Sequence, residues 1–173
     1  PAGEVIALDC RDGTEQWRVF IGGYLGSSPV LDPETQRLYI TGTRGMHALT
    51  LEENVAPEDR ILVSFATQTT ISSAALSVDG SLLYFATSSG AMYAIDLDAT
   101  FSPLMVPRRR KRDGTEDSYV SRRLLSAKVK WISELGSAVQ LSSPTVDSYG
   151  NVYVGTSGGS ICGINSSGSI MWT

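Results

Sequence analysis

A sequence repeat that occurs four times along the chain constrains the fold more than any other feature of these 173 residues. Its clearest copy runs from Ser142 to Trp172 as four short apolar segments separated by tight turns. Pairs such as Asp79-Gly80 and Gly150-Asn151 lie between apolar runs, where two-residue hairpin turns need residues that tolerate positive φ. Repeated hairpins of this kind predict an all-β chain of antiparallel strands.

The spacing of the copies predicts how these strands are grouped. Gly45 follows Gly3 by 42 residues and Gly90 follows Gly45 by 45 residues, a period that suits four-stranded propeller blades of about 40–45 residues. Segments such as Leu82–Ala86 are apolar at every position, which favours sheets covered on both faces. We therefore predict a partial β-propeller of about three and a half four-stranded antiparallel blades, an arc of a larger seven- or eight-bladed ring.

The third interval, from Gly90 to Gly159, is 69 residues long, and its excess falls at 97–127. We interpret 97–127 as a flexible basic insertion within the third blade. The predicted propeller segment covers the chain from 1 to 173, with blade portions at 3–20, 27–66, 71–133 and 141–173.

Residues 7–17 carry a more specific pattern, Ala-x-Asp-x-x-x-Gly-x-Glu-x-Trp. It resembles the tryptophan-docking motif of the pyrroloquinoline-quinone (PQQ) repeat, which marks the quinoprotein alcohol dehydrogenase-like β-propellers. Weaker copies lead to Trp131 and Trp172, whereas in the second copy Thr50 replaces the Asp and Phe65 replaces the Trp. The resemblance implies that the tryptophans pack between neighbouring blades. The predicted structural docking residues are Ala7, Asp9, Gly13, Glu15, Trp17, Trp131 and Trp172.

Charge separates the insertion from the body of the chain. The net charge is −4, but residues 108–130 carry +6 and the remainder carries −10. The basic cluster could be a nuclear-localisation patch, a protease target or a loop that binds phosphate or acidic groups. We favour a solvated, flexible insertion. The residues of this possible basic interaction loop are Arg108, Arg109, Arg110, Lys111 and Arg112.

Other motifs have plainer interpretations. Gly155–Gly159 matches the Gly-x-Ser-x-Gly spelling of a nucleophile elbow, but it joins two predicted strands, and the sole histidine, His47, lies two repeats earlier. We therefore interpret it as a turn. Asn165–Ser167 is a glycosylation sequon. No apolar run reaches eighteen residues, so no membrane span is predicted, and no nucleic-acid partner is predicted. The sequence assigns no compartment.

Two hypotheses for function follow from the resemblance. The first is a non-catalytic PQQ-like repeat module, a protein-interaction or structural scaffold, whose partner is another protein or the remaining blades of the same propeller. It has no predicted cofactor. The alternative is part of a PQQ- and calcium-dependent quinoprotein dehydrogenase whose catalytic residues lie elsewhere. The resemblance would place a Cys-Cys pair over that cofactor, and this sequence has only the separated Cys10 and Cys162.

Overall fold

The chain forms four antiparallel sheets in the computed structural model, which describes residues 3–102 and 125–173. Sheet 1 contains β1 (Glu4–Leu8) and β2 (Glu15–Phe20). Sheet 2 contains β3 (Val30–Asp32), β4 (Arg37–Gly42), β5 (Gly45–Thr50) and β6 (Ile61–Phe65). Sheet 3 contains β7 (Ala75–Leu76), β8 (Leu82–Ala86), β9 (Ala91–Asp96) and β10 (Lys128–Glu134). Sheet 4 contains β11 (Thr145–Val146), β12 (Val152–Gly155), β13 (Ile161–Ile164) and β14 (Ile170–Trp172).

Every sheet is a meander, because each strand pairs with the strand that follows it in sequence. The hairpins close on glycines with positive φ, among them Gly80 at +70° and Gly150 at +79°. Aspartates beside these glycines accept backbone N–H groups: Asp79 accepts from Ser81 at 3.1 Å and Asp147 accepts from Tyr149 at 2.9 Å. The all-β prediction is therefore confirmed, and its turn chemistry acts as expected.

The sheets pack face to face in chain order, and an apolar cluster fills each of the three seams between them. We call the surface that a sheet turns towards the next sheet its forward face, and the opposite surface its back face. These contacts bury sheets 2 and 3 on both faces, which explains why their strands are apolar throughout. The seam residues are Val5 and Val19 against Leu38, Ile40 and Leu49; Tyr39, Met46 and Ala48 against Leu83, Phe85 and Ile95; and Tyr84, Met92 and Ala94 against Val152, Val154 and Ile164.

The two ends of the insertion lie against the seam between sheets 2 and 3. Its first residues form a short helix, α1 (Leu97–Phe101), and the Arg37 guanidinium carbon lies 3.7 Å from the centre of the Phe101 ring. At the other end, the Leu125 amide donates to the Leu62 carbonyl at 3.1 Å. The predicted basic loop, residues 108–112, lies outside the described residues.

Candidate interaction site at the open face of sheet 4

The indole of Trp131 shows how two sheets meet along a seam. Its strand places it opposite Ala94 in sheet 3, and its ring lies 5.7 Å from the Tyr84 ring. Its Nε1 donates to the Ser166 carbonyl of sheet 4 at 3.1 Å. The ring also covers Gly168, where an added Cβ would lie 2.7 Å from a ring atom. A glycine in the next sheet is therefore what lets the indole approach its backbone closely.

Trp17 occupies the same register in sheet 1, opposite Ala7, but meets a different neighbour. Its ring faces Arg60, the residue that precedes β6 of sheet 2, with the guanidinium carbon 4.6 Å from the ring centre. Arg60 is buried, and its Nη1 donates to the carbonyls of Thr50 and Glu52 at 3.2 and 3.1 Å. A buried cation against an aromatic face replaces the close glycine contact in this seam. No sequence signal pointed to Arg60.

The second sheet departs from the sequence interpretation. Ala48 pairs with Val63, so Val63 holds the tryptophan position and the assignment of Phe65 to it is wrong. Val63 is fully buried and bridges Leu125, a residue of the insertion, which helps fill the space that an indole takes elsewhere. Phe65 still spans the seam, with its ring 5.9 Å from that of Tyr93 in sheet 3.

Trp172 lies opposite Gly163 in sheet 4 and covers it, since an added Cβ there would be 2.6 Å from the ring. Its other side is open: 49% of Trp172 and 60% of Ile161 are exposed. The register places Ile161 opposite Gly155, as Met92 lies opposite Ala86 in sheet 3, where Met92 is fully buried. No described residue beyond sheet 4 covers this forward face.

The remaining motif residues lie in the turn of sheet 1. Asp9 accepts hydrogen bonds from the Arg11 side chain and backbone and from Gln16, and the Arg11 bonds are the main cause of its lowered pKa. The Gly13 amide donates to the Asp9 carbonyl at 2.8 Å. Glu15 pairs with Arg18 at 2.6 Å. These contacts shape the hairpin, while the docking role assigned to these residues stays a prediction.

Serines just before the first strands of sheets 2, 3 and 4 form a hydrogen-bonded ladder that the sequence analysis did not predict. The Ser28 amide donates to the Ser73 hydroxyl at 2.9 Å, and the Ser73 amide donates to the Ser143 hydroxyl at 3.1 Å, so each step crosses one seam. The preceding serine of each pair instead bonds within its own sheet, as Ser142 does to the Gly155 amide at 2.9 Å. The repeated Ser-Ser pairs at 27–28, 72–73 and 142–143 were the signal that could have revealed it.

Loops cross the seams in the same repeated way. The Thr70 amide donates to the Gly42 carbonyl at 3.1 Å, and the Val139 amide donates to the Thr87 carbonyl at 3.3 Å. The equivalent station in sheet 4 is Thr156, beside which lies a concavity of about 380 Å³. This concavity therefore occupies the place that a following sheet's loop fills in the interior seams. It is lined by Gln140, Leu141, Ser142, Gly155, Thr156 and Ser157.

The other chemical candidates are not brought together. Ser157 lies in the turn between β12 and β13, and its hydroxyl donates to the Ala138 carbonyl at 2.9 Å. His47 lies on β5, buried, with Nδ1 3.0 Å from the Ser64 hydroxyl, and burial lowers its pKa. In residues 3–102 and 125–173, no group of three or more His, Cys, Asp or Glu side chains is placed to hold a metal. Within the same residues, no helix has the length and apolarity needed to cross a membrane.

Comparison with known proteins supports the geometry. A family described as outer membrane protein assembly factor BamB matches residues 1–173. The crystal structure of BamB from Moraxella catarrhalis, 14% identical, superposes with a TM-score of 0.61 over 98% of this chain and 43% of that one. This chain thus spans under half the length of that protein, and the likeness shows the fold. No curated protein matches the chain significantly. The chain is a partial β-propeller and belongs to the PQQ-repeat family of the outer membrane protein assembly factor BamB.

Proposed function

We propose that the chain is a non-catalytic scaffold module whose forward face on sheet 4 seats a further protein surface. That surface is supplied by the remaining sheets of the same propeller or by a partner protein. The observation that carries this proposal is the contrast between equivalent positions: Met92 is fully buried, whereas Ile161 is 60% exposed. An apolar face that interior sheets bury and the last sheet exposes is typical of a docking surface.

The polar groups on this face support the same proposal. The Ser143 amide and the Thr156 carbonyl stand where Ser73 and Thr87 make their cross-seam hydrogen bonds. A partner that supplies one hydroxyl and one N–H group would complete both bonds. Such a pattern gives a docking surface register as well as apolar area.

Photo-crosslinking tests the proposal on the full chain. A benzophenone side chain at Ile161 should crosslink to protein upon irradiation, whereas the same group at Val78 should not, because Val78 is 79% exposed in a hairpin turn away from the seams. Sequencing of the crosslinked peptide separates a partner protein from a segment of the same polypeptide. Equal labelling at the two positions, or none at Ile161, would reject the docking face.

The dehydrogenase hypothesis, in which the catalytic residues lie outside this segment, makes a different prediction. A titration with PQQ and Ca²⁺, followed by tryptophan fluorescence, separates the two hypotheses. The scaffold proposal expects no saturable quenching. Saturable quenching together with oxidation of an alcohol by a dye acceptor would overturn it.

A further inference from the structure

The sole histidine of the chain, His47, lies in the interior seam between sheets 1 and 2. We propose that His47 makes this seam acid-sensitive: protonation of its ring below about pH 6 loosens the contact between sheets 1 and 2, while the seam between sheets 3 and 4 stays closed. This seam is separate from the docking face on sheet 4, so the two proposals stand or fall independently.

Strand pairing places His47 among apolar side chains. It lies opposite Ile40 of β4, and the alternation of β5 puts it on the same face as Leu49. Ile40 and Leu49 pack in the seam with Val5 and Val19 of sheet 1. The histidine itself is only 5% exposed. The ring is therefore enclosed by groups that solvate a charge poorly.

Neither ring nitrogen has an anionic partner. Nδ1 lies 3.0 Å from the hydroxyl of Ser64 on β6, which is a neutral group. Nε2 is buried and has no hydrogen-bond partner among the described residues. An imidazolium carries two N–H donors, so a protonated ring would bury a charge and leave its Nε2–H unpaired. Adding a proton therefore costs more in the closed seam than in water.

The surface of sheet 1 that faces the ring supplies no charge. The residues on this forward face are apolar, and residues 21–28, which lead into sheet 2, contain no charged side chain. The charged side chains of β1 and β2 pair with one another on the back face of sheet 1, and those of the connecting turn lie beyond the end of β1. These residues are Glu4, Glu15 and Arg18 on the strands and Asp9, Arg11 and Asp12 in the turn.

The charges on the side of sheet 2 do not compensate a proton either. Arg44 lies in the turn just before β5, and the buried Arg60 lies near the other end of the same seam. Burial first, and the charge of Arg44 second, lower the pKa of His47. The acidic residues of the β5–β6 connection come after the far end of β5: Glu52, Glu53, Glu58 and Asp59.

Equivalent positions in the other seams hold side chains that stay neutral in mild acid. By register, Tyr93 in sheet 3 and Cys162 in sheet 4 occupy the position of His47. Tyrosine loses its proton only near pH 10, and burial raises the pKa of the Cys162 thiol. Among these three positions, His47 alone changes charge between pH 7 and pH 5. The acid response should therefore be confined to the seam between sheets 1 and 2.

The lowered pKa fixes the direction of the response. A histidine that is harder to protonate in the closed seam contributes its full stability above its ordinary pKa of about 6.5 and loses that contribution as the pH falls. Between this value and the pKa of the buried ring, the equilibrium constant for opening should rise by up to about tenfold per pH unit. Above pH 7 it should be constant.

Thiol alkylation compares two seams within one molecule. In a variant with Cys10→Ser and Val19→Cys, one thiol lies in the seam between sheets 1 and 2, where Val19 is 4% exposed. The other, Cys162, lies in the seam between sheets 3 and 4 and is 1% exposed. The ratio of their alkylation rates, followed by mass spectrometry, cancels the effect of pH on the reagent. We expect this ratio to rise about tenfold from pH 7 to pH 5.

Two controls isolate the ring. His47→Gln removes the titration and keeps a side chain that can bond to Ser64, so the ratio should not change with pH. Adding Val78→His to His47→Gln restores a single histidine at a position that is 79% exposed, and the ratio should again stay constant. Proton NMR of the single ring should show a pKa below the ordinary value for His47 and near the ordinary value for Val78→His.

Several outcomes would overturn the proposal: an alkylation ratio that does not depend on pH, an equal rise in the His47→Gln background, or a His47 ring that titrates at or above its ordinary pKa. If circular dichroism shows that Val19→Cys does not fold, urea titrations of the unmodified chain and of His47→Gln replace the alkylation test. The unmodified chain should then lose more stability from pH 7 to pH 5 than His47→Gln. Equal losses would reject the acid-sensitive seam.

Discussion

Sheets 3 and 4 are formed by copies of the same sequence repeat, yet their forward faces differ in solvent exposure. Tyr84 and Met92 are fully buried in sheet 3, whereas Ile161 is largely exposed and Trp172 is half exposed in sheet 4. The registers around the two tryptophans are alike, although the insertion separates the last two strands of sheet 3. The burial of a repeat therefore depends on the neighbouring sheet, because a single sheet cannot cover its own faces.

The largest expected difference in stability between the two sheets comes from their indoles, Trp131 and Trp172. Trp131→Ala should lower the free energy of unfolding by about 3 kcal/mol, since it removes packing against Tyr84 and Gly168 together with the bond to Ser166. Trp172→Ala should cost under about 1 kcal/mol, because half of that ring is already in water. Urea titrations of both variants measure the two costs. Equal costs would contradict the assignment of Trp131 to the seam.

A second comparison concerns the glycines beneath those rings. Gly168→Ala should destabilise by about 2 kcal/mol, because positive φ and displacement of the Trp131 ring both contribute. Gly13→Ala meets the same backbone penalty with open space around it, so about 1 kcal/mol is expected. The difference between the two unfolding midpoints isolates the contact with the ring. It should vanish in the background of Trp131→Ala, and its persistence there would assign the cost to the turn alone.

The tyrosines at equivalent positions, Tyr84 and Tyr153, should show the opposite order: here the residue of sheet 4 is the more costly to change. The Tyr84 hydroxyl is buried and has no hydrogen-bond partner among the described residues, whereas the Tyr153 hydroxyl donates to Asp147 at 2.8 Å. Tyr84→Phe should therefore leave stability unchanged or raise it by up to about 1 kcal/mol. Tyr153→Phe should lower it by about 1 kcal/mol. Thermal unfolding of the two variants, side by side, would refute this account if Tyr84→Phe proved the more damaging.

The smallest effect is a pH dependence that both sheets should share. Hydrogen bonds, chiefly from the Asn151 side chain, lower the pKa of Asp147 to about 2, and bonds led by the Ser77 hydroxyl lower the pKa of Asp79. A carboxyl with a lowered folded-state pKa contributes stability above its unfolded value near 4, and that contribution is lost as the pH falls towards 2. The stability difference between the unmodified chain and Asp147→Asn should shrink from pH 5 to pH 2.5, and so should that for Asp79→Asn. A constant difference would indicate that neither carboxylate acts through its charge.

Repetition made much of the fold predictable. The glycine spacing and the Asp-Gly turns depend on local backbone conformation, so they are enough to predict the antiparallel meanders. The register of β6 was not predictable in this way. Phe65 is the large ring near the expected place, which favours it for the tryptophan position, but the pairing sets Val63, two residues earlier, opposite Ala48. Which residue holds a position is decided by strand pairing rather than by composition.

Some of the contacts in the seams could be predicted from the sequence and others could not. The tryptophans were recognisable as candidates because large rings recur at fixed repeat positions. Arg60 was not, because its buried place depends on two backbone carbonyls and on the Trp17 ring, which come from other parts of the chain. The serine ladder lay between these cases. Its Ser-Ser pairs are visible in the sequence, but their division into one bond within the sheet and one bond across the seam requires the position of the adjacent sheet.

Local sequence specifies the strands, the hairpins and their repetition, because apolar patterning and the φ preferences of glycine and aspartate act over a few residues. Which copies of the repeat are buried by a neighbouring sheet depends on the tertiary structure. Met92 and Ile161 occupy equivalent positions, but sheet 4 packs over Met92, whereas no described residue packs over Ile161. The hydrophobic effect acts on apolar area removed from solvent, and that area depends on what packs against a face as well as on the residues of the face itself.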